Sequence, residues 1–490
     1  MNEMKACDFG AELTHLLTEY RIDGTFEQVP FAEGPGDDRV GIAAGPHTQT
    51  AAGIVSCWAA GAGVIELKTV QVLSGKDLGL KKPCIYVGDR VYNTEWSSEF
   101  PVETAAEEYI GAYLLIRVLS KEFSLERLPR LTASVGYDLK GIKSKPVTAF
   151  LSAMKDASEN PAWKRDIKYL RKHVKEFAHV TAKDIDTIEK ETCIADTVTL
   201  STMHGCPKEE IYDIASYLLS QGFHTFVKLN PTIIGRENVY KLLEAHGFEE
   251  EIPERVFDEE LGMNAAVDLI ERLSQDAYRQ DLCFGVKLTN TLPVMVQHQE
   301  LSADTMYLSG KALYSLSLMA AGLIAATCPG VPISFSGGAD RWNVGNLLYA
   351  GICTVTVCSI LLKAGGYKNF VPLLEAAQSV PYTRHPNHVL LHELSEKALT
   401  DPHYDFAVRK KQERLPRYSP RCAFCENCVD VCPNRANVRL AVKGGFAVLH
   451  IEDRCNECGA CSASCRLGHE PYREKEAVKL TDVMALGKQE

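Results

Sequence analysis

Eight cysteines near the carboxyl end of the chain form two copies of one spacing, C-x2-C-x2-C-x3-C. The first copy is followed by Pro433 and the second by Arg466. The two copies consist of Cys422, Cys425, Cys428 and Cys432, and of Cys455, Cys458, Cys461 and Cys465. Two-residue gaps let three thiolates converge on one face of a cubane iron–sulfur cluster, while the fourth cysteine reaches a second cluster. The spacing therefore predicts two [4Fe–4S] clusters.

Because the fourth cysteine of each copy binds the cluster of the other copy, the spacing gives an expected ligand set for each cluster. We expect one cluster on Cys422, Cys425, Cys428 and Cys465, and the other on Cys455, Cys458, Cys461 and Cys432. Two structural zinc sites are the alternative, but zinc ribbons do not need three cysteines at two-residue gaps. Residues 419–472 resemble a bacterial two-cluster ferredoxin, a module that carries single electrons and performs no substrate chemistry. The preceding residues should therefore hold the redox partner of the clusters.

The composition predicts a folded, acidic protein. The 490 residues are 46% hydrophobic and 24% charged, and the formal net charge of −11 argues against nucleic acid as a partner. The amino-terminal residues lack the pattern of a secretory signal. The 17 cysteines, an odd number concentrated at one end, indicate a metal site in a reducing compartment. We therefore expect a cytoplasmic protein without a membrane partner, with the uncharged stretches 312–339 and 342–362 buried in its core.

Short β-rich apolar runs alternate with helix-length segments through the first three quarters of the chain. Eight such runs are predicted as strands: Val40–Ala43, Val64–Thr69, Leu131–Val135, Thr197–Ser201, Thr225–Leu229, Phe284–Leu288, Val331–Phe335 and Thr354–Cys358. Eight βα repeats predict an α/β fold, a (β/α)8 TIM barrel, over residues 1–375. We expect a hairpin at residues 82–96, a linker at 376–418 that wraps the barrel, the ferredoxin-like domain at 419–472, and a tail at 473–490.

Two loops of the predicted barrel could bind phosphate. In such barrels the working residues stand at the carboxyl ends of the strands, and phosphate lies in the loops after strands seven and eight. Gly337 and Gly338 follow the seventh strand, and Ser359 follows the eighth, so backbone N–H groups and a hydroxyl are available there. The sequence has no Walker A motif and no G-x-G-x-x-G motif that opens a helix after a strand. We therefore expect electrons to enter or leave through the clusters.

Five segments resemble the FMN domain of dihydroorotate and dihydropyrimidine dehydrogenases: VGIAAGPHTQ from Val40, ELKTV from Glu66, YNTEW from Tyr92, FVKLNP from Phe226 and KLTNT from Lys287. The resemblance is closer still to the amino-terminal half of the bacterial proteins known as putative selenate reductases. It implies FMN above the barrel and hydride transfer between the flavin N5 and a ring carbon of a heterocycle.

The same resemblance implies roles for individual residues. Cofactor binding is implied for Ala44, Gly45, Lys68, Thr69, Lys228, Gly310, Gly337, Gly338 and Ser359, and substrate binding for Asn93, Asn290 and Thr291. Lys228 would lie near the N1–C2 edge of the flavin, where a cation stabilises the anionic reduced ring. Lys287 is an alternative because VKLN and VKLT are near copies, but the strand count favours Lys228.

The loop after the fourth strand departs from the family pattern. Where the family reads Asn-Leu-Ser-Cys-Pro with a catalytic cysteine, this chain has Thr199 in place of the asparagine and Thr202 in place of the cysteine, with Cys206 four residues later. We predict Cys206 as the proton donor, with a pKa lowered by the start of a helix at Pro207, and His204 as a second proton donor or a phosphate contact. Thr202, at the position of the family's cysteine, is the alternative for the proton-transfer role. An inert, buried Cys206 is the alternative.

These observations predict an iron–sulfur flavoprotein oxidoreductase. Hydride would pass between FMN and a double bond of a purine- or pyrimidine-type heterocycle, because amide side chains pair with ring N–H and C=O groups. The clusters would exchange electrons with an FAD/NAD(P)H-dependent or other redox subunit in a hetero-oligomeric complex. The alternative is an electron-transfer hub without a substrate of its own. An oxyanion acceptor is a weak third hypothesis, since no dedicated arginine cluster is visible.

Overall fold

The computed structural model describes residues 4–34, 36–94, 97–203, 205–383, 385–406, 422–442 and 445–486. Eight parallel strands form a closed barrel in which neighbours along the chain are neighbours in space, and the eighth strand pairs with the first. The barrel strands are Asp37–Ile42, Ala62–Glu66, Arg130–Val135, Thr197–Ser201, His224–Leu229, Phe284–Leu288, Ile333–Phe335 and Thr354–Val357. The predicted (β/α)8 barrel is confirmed, with every strand at its predicted place.

Helices surround the barrel and bury apolar faces against it. The helix Met263–Arg279 shows the pattern, since its buried residues Ala266, Ile270, Leu273 and Ala277 recur at helical spacing. The other helices that pack around the barrel are Phe9–Asp23, Ala51–Ala59, Val102–Glu122, Leu139–Ile142, Lys145–Lys155, Pro161–Lys172, Ala182–Ile188, Ile211–Ser220, Arg236–Ala245, Arg255–Glu259, Tyr314–Thr327, Val344–Tyr349, Val371–Gln378 and His388–Thr400. Short 3-10 helices lie at Pro46–Thr48, Val174–Glu176, Lys208–Glu210, Pro231–Ile234, Gly310–Leu313, Ser359–Leu362, Gly366–Asn369, Pro402–Tyr404 and Glu452–Arg454.

One helical stretch among the described residues, Gly310–Thr327, is long and apolar enough to cross a membrane, and 61% of it is buried inside the protein. Its main part, Tyr314–Thr327, packs against the helix His388–Thr400. The buried residues Leu316, Ala320 and Ile324 belong to the main hydrophobic core. The uncharged sequence is thus explained by packing within the barrel, as predicted.

A four-stranded sheet lies beside the barrel and is made of two hairpins. The hairpin predicted at residues 82–96 contains the strands Ile85–Val87 and Val91–Asn93. A second hairpin, Leu292–Met295 with Thr305–Ser309, was not predicted and pairs with the first through Val91–Asn93. A further short hairpin pairs Thr25–Phe26 with Val29–Pro30.

The carboxyl-terminal residues form a small α/β unit. Its strands Asn437–Val442 and Gly445–Ile451 are antiparallel, and Glu476–Val478 adds a parallel third strand. Its helices are Asn427–Asp430, Ala460–Ala463, Pro471–Glu474 and Leu480–Leu486. The prediction of a separate tail at 473–490 is wrong for the strand Glu476–Val478, because that strand completes the sheet.

The segment predicted as a linker, 376–418, packs closely on the barrel where it is described. Leu391 and Ala398 of the helix His388–Thr400 are buried in the main core, as are Tyr404 and Phe406. Residues 407–418, including the basic run at 409–411, lie outside the described residues. The barrel core therefore extends to at least Phe406, beyond the predicted boundary at residue 375.

Candidate cofactor and substrate site

A cavity of about 580 Å³, here called the main cavity, opens at the carboxyl ends of the barrel strands. The structure brings together there most of the residues that the sequence singled out. The lining includes Ala44, Gly45, Lys68, Thr69, Lys228, Gly310, Gly338 and Ser359 from the predicted cofactor set, and Asn93, Asn290 and Thr291 from the predicted substrate set. These residues come from eight different loops and strand ends, so the closed barrel is what assembles them.

Glycines keep the wall of the main cavity open. A Cβ on Gly310 would lie 2.9 Å from the Cβ of Ser359, and Gly310 has φ +77°. A Cβ on Gly45 would lie 2.5 Å from Cys358 Sγ. Gly338 has φ +79°, which L residues with a side chain rarely adopt. Gly337 is the exception among the predicted cofactor-binding residues, because it packs against Ser317 and does not line the cavity.

The main cavity is strongly cationic. Among the described residues, its charged lining consists of six cationic side chains and two carboxylates: Lys68, Arg90, Lys228, Lys311, Arg341, Lys363, Asp89 and Asp340. Burial and the neighbouring Lys311 lower the pKa of Lys363. A pocket with this charge attracts anions, and its glycine-rich loops offer backbone N–H groups to them. The lining therefore suits an anionic cofactor such as a flavin mononucleotide.

The structure distinguishes the two similar lysines of the fifth and sixth strands. Lys228 lines the main cavity, whereas Lys287 is buried inside the barrel, with Nζ 2.8 Å from Thr356 Oγ1 and 3.4 Å from Glu66 Oε2. Burial and the nearby Lys287 lower the pKa of Lys228, while Glu66 counteracts them. Lys228 is thus the lysine available to a ligand in the main cavity.

Glu66 sits beneath the main cavity and joins three elements of the barrel. Burial alone would raise the pKa of Glu66, but Lys287, Lys228 and the backbone N–H of Ala44 hold it below its usual value. That N–H donates to Glu66 Oε2 at 2.8 Å, which fixes the loop after the first strand. Glu66 was not predicted as a site residue, although a glutamate at a barrel strand end is the same signal of a buried charge that marked the lysines.

The amide of Asn290 is held in one orientation. Its Nδ2 donates to the backbone carbonyl of Lys228 at 3.1 Å and to Asn230 Oδ1 at 2.7 Å. Since a carbonyl oxygen can only accept, the atom that contacts it must be the nitrogen. Both N–H bonds of Asn290 are therefore used inside the protein, and its Oδ1 is the atom available to the main cavity as an acceptor.

Of the three predicted proton donors, the two that the structure describes do not line the main cavity. Thr202 and Cys206 face a second cavity of about 250 Å³, which Met203 separates from the main one by lining both. The expectation that a helix start lowers the pKa of Cys206 is wrong: burial, with Glu210 and Asp138, raises that pKa to about 12. Thr202 Oγ1 donates to the backbone carbonyl of Lys228 at 2.6 Å. His204 lies outside the described residues.

The eight cysteines of the carboxyl-terminal unit line two separate cavities. The first cavity, of about 170 Å³, is lined by what we call the outer set: Cys422, Cys425, Cys428 and Cys465. The second, of about 10 Å³, is lined by the inner set: Cys432, Cys455, Cys458 and Cys461. Each set contains three cysteines of one copy and the fourth cysteine of the other, which is the division that the spacing predicts.

The two copies of the spacing have the same backbone conformation. Phe424 and Glu457, at matching positions, have φ +50° and +54°, and the next matching pair, Glu426 and Gly459, has φ +59° and +89°. The N–H of Phe424 donates to Cys422 Sγ at 3.4 Å, and that of Glu457 donates to Cys455 Sγ at 3.3 Å. Such N–H···S bonds stabilise thiolates around a cluster. Within the described parts of the chain, no group of three His, Cys, Asp or Glu side chains is placed to hold a single metal ion.

Several residues of the main cavity were not found from the sequence. Arg90, Lys311, Arg341 and Lys363 supply most of its positive charge, and Cys358 lies at its base beside Gly45. None belongs to a short motif, and each comes from a loop whose path is set by the fold. Arg90 lies in the turn between the strands Ile85–Val87 and Val91–Asn93, and it also forms an ion pair with Glu250.

The fold and the site define a (β/α)8 barrel with an anion-binding cavity at its strand ends and a four-plus-four cysteine unit attached to it. The family described as "Oxidoreductase YgfK, N-terminal TIM-barrel domain" matches residues 21–406, and the chain belongs to this family.

The curated relatives named "Putative oxidoreductase YgfK", from Escherichia coli strain K12 and from Escherichia coli O157:H7, are each 40% identical over 343 residues. The match covers 67% of this chain but 33% of each relative, so the chain matches about a third of their length. Among solved structures, the crystal structure of DHODH in complex with ferulenol from Eimeria tenella is similar with a TM-score of 0.42 and 16% identity, covering 79% of this chain and 92% of that one.

Proposed function

We propose that the chain is the catalytic part of an iron–sulfur flavoprotein oxidoreductase. The observation that carries this proposal is the pairing of one cationic, glycine-lined cavity at the barrel mouth with two cysteine-lined cavities in a unit packed against the same barrel. The first suits FMN and a substrate, and the four cysteines around each of the others are the ligand set that a [4Fe–4S] cluster requires. The membership of the YgfK barrel family supports an oxidoreductase.

The residues of the main cavity support FMN as the cofactor. Gly310, Gly338 and Ser359 would hold the phosphate, because they line the main cavity together and add the hydroxyl of Ser359 to the cation of Lys311, which lines the same cavity. Gly45 leaves room for the flavin ring beside Cys358. FMN would supply hydride transfer at its N5. The chain's own contribution would be Lys228, whose cation stabilises negative charge on the reduced ring.

The substrate that fits best is a nitrogen heterocycle of the purine or pyrimidine type. Asn93, Asn290 and Thr291 line the same cavity and supply amide and hydroxyl groups. Because both N–H bonds of Asn290 are used by Lys228 and Asn230, its Oδ1 would accept from the ligand. The ligand should therefore present a ring N–H, as the amide-like edges of such heterocycles do.

The two clusters would connect the flavin to a partner. We propose that a subunit or domain that uses FAD and NAD(P)H, or another redox protein, exchanges electrons with them in a cytoplasmic hetero-oligomeric complex. The chain itself would supply the thiolate ligands and the N–H···S bonds that hold them.

The position of Cys206 favours a second candidate, an electron-transfer hub without a substrate of its own. Cys206 faces the second cavity, and burial raises its pKa to about 12, so it is poorly suited to donate a proton in the main cavity at neutral pH. The amide-lined main cavity favours the enzyme over the hub.

A screen of heterocycles on anaerobically purified protein separates the two candidates. The flavin absorbance of the reduced protein is followed as purines and pyrimidines with a free ring N–H are added, each beside its N-methylated analogue. The enzyme predicts reoxidation by an N–H compound, a weaker response to the methylated form, and loss of the response in Asn290→Ala but not in Asn238→Ala. Asn238 is the matched control because it does not line the main cavity and its amide donates to the backbone carbonyl of Ile234 at 2.8 Å. Flavin that responds to no heterocycle, but does respond to one-electron carriers, would favour the hub.

A further inference from the structure

We propose that the inner set of cysteines holds the cluster that exchanges electrons directly with the flavin, and that the outer set holds the cluster that meets an external one-electron carrier. This inference rests on the proposed function, since it needs a flavin in the main cavity and a cluster on each set. It goes further by giving the order of the redox centres and the part of the barrel that connects them.

The first observation is a shared hydrophobic cluster. Ile85, Val91 and Leu362 line the main cavity. The same three side chains form one buried apolar cluster with all four cysteines of the inner set. Of the outer set, Cys428 packs only at the edge of this cluster. The wall of the main cavity and the inner cysteines are therefore two faces of one packed layer, and packed atoms without an intervening gap are the shortest route for an electron.

The second observation is a direct backbone connection. The N–H groups of Cys84 and Ile85 both donate to the carbonyl oxygen of Cys458, at 3.0 and 2.9 Å. A Cβ on Gly459 would lie 2.4 Å from Pro83 Cβ, so the loop of the inner set and the start of the hairpin Ile85–Asn93 are in close contact. The hairpin thus touches the inner set with its beginning and the main cavity with Ile85.

The third observation is the difference in exposure between the two sets. All four cysteines of the inner set are buried, whereas the four cysteines of the outer set are partly accessible. Phe424, between the first two outer cysteines, is 56% exposed. Transfer between proteins requires close approach, and among the described residues the outer set is the more exposed of the two. The inner set is shielded by the barrel on one side and by its own unit on the other.

The electron balance of this order is simple. A one-electron carrier of the reduced flavoprotein or iron–sulfur protein class gives one electron to the outer cluster, which passes it through the inner cluster to FMN. A second electron follows by the same route, and the flavin takes up one proton with the pair. The carrier is oxidised twice and the flavin is reduced by two electrons; the reverse flow oxidises the flavin.

Two matched variants test the order. Cys425 and Cys458 are the second cysteines of the two copies, and Cys425→Ala and Cys458→Ala should each leave about four irons per chain. The measurement is the microwave-power saturation of the EPR signal of the flavin radical, with the remaining cluster either reduced or oxidised, because a nearby reduced cluster accelerates relaxation of the radical. We expect the acceleration to persist in Cys425→Ala and to be lost in Cys458→Ala.

The opposite pattern would overturn the inference and leave the proposed function intact. If Cys458→Ala does not fold, Cys425→Ala alone tests the inference, because Cys425 lies away from the contact with the barrel. Loss of the accelerated radical relaxation in a Cys425→Ala chain that keeps flavin and about four irons would overturn the proposed order of the clusters. A wild-type chain that releases no flavin on acid treatment would overturn both this inference and the proposed function.

Discussion

Lys228 and Lys287 occupy equivalent places in near-identical sequences, VKLN and VKLT, and are direct partners across the fifth and sixth barrel strands. Yet Lys228 reaches the main cavity, whereas Lys287 is 3% exposed and paired with Glu66, Thr356 and Ser334. The motif therefore predicts a lysine inside the barrel but does not determine the role of that lysine. Strands that do not pair with the sixth strand determine the role of Lys287: the second strand offers it a carboxylate and the eighth a hydroxyl.

The two lysines also differ in what their loss should cost. Lys287 neutralises a buried carboxylate, so its contribution is to stability. Lys228 shares that carboxylate only through longer-range attraction, and its charge is available to a ligand. Substitutions whose effects on stability and on cofactor binding are measured separately therefore test whether the two lysines have these different roles.

The largest effect is expected from Glu66→Leu. This change leaves Lys287 as a buried charge without its carboxylate, and breaking a buried pair in this way costs about 3–5 kcal/mol. We expect the free energy of unfolding, measured by denaturant titration of the barrel signal, to fall by that amount.

The double variant Glu66→Leu with Lys287→Met is the control. Replacing both members of a buried pair by apolar residues of similar size is often neutral or stabilising. We therefore expect the double variant to recover most of the lost stability. A double variant as unstable as the single one would show that Lys287 and Glu66 do not act as a pair.

A smaller effect, on binding and not on stability, is expected from Lys228→Met. Loss of a charge-assisted contact of about 1.5–3 kcal/mol should weaken FMN binding by roughly 10- to 100-fold. Fluorescence titration of the apoprotein with FMN measures this, and Lys287→Met provides the comparison. Equal affinities for the wild type and Lys228→Met, in variants that are both folded, would contradict the assignment of Lys228 to the cofactor.

The smallest effect is a pH dependence of stability. The pKa of Glu66 is lower in the folded protein than its ordinary value of 4.5, so its contribution to stability is present above about pH 4.5 and is lost as the pH falls toward the lower, folded-state pKa. Denaturant titrations between pH 6 and pH 3 should show a steeper loss for the wild type than for the double variant at Glu66 and Lys287. Parallel curves would mean that Glu66 does not titrate in this window.

The sequence predicted the barrel well because each strand is a short apolar run between helix-length segments. It missed the hairpin Leu292–Met295 with Thr305–Ser309, whose strands are short, include Pro293, and gain their stability from pairing with the other hairpin. The strand Glu476–Val478 was not predicted either, because it is short and is stabilised by pairing with its parallel partner.

Site residues that belong to a short sequence motif could be predicted from the sequence. Site residues whose position depends on the path of a loop could not. The spacing of the cysteines was enough to predict their division into two sets, and the resemblance placed Asn290 and Lys68 at the main cavity. Cys206 was predicted to titrate near neutral pH because a helix begins after it, but burial outweighs the helix start and raises its pKa to about 12. Sequence alone does not reveal such burial.

The cofactor content of the anaerobically purified chain is the most direct test of the proposed iron–sulfur flavoprotein. Flavin released by acid, iron and acid-labile sulfide are determined on one sample. We predict about one FMN, about eight irons and about eight sulfides per chain, as two [4Fe–4S] clusters require. About eight irons without flavin would contradict the assignment of the main cavity, and zinc in place of iron and sulfide would contradict the assignment of the cysteines.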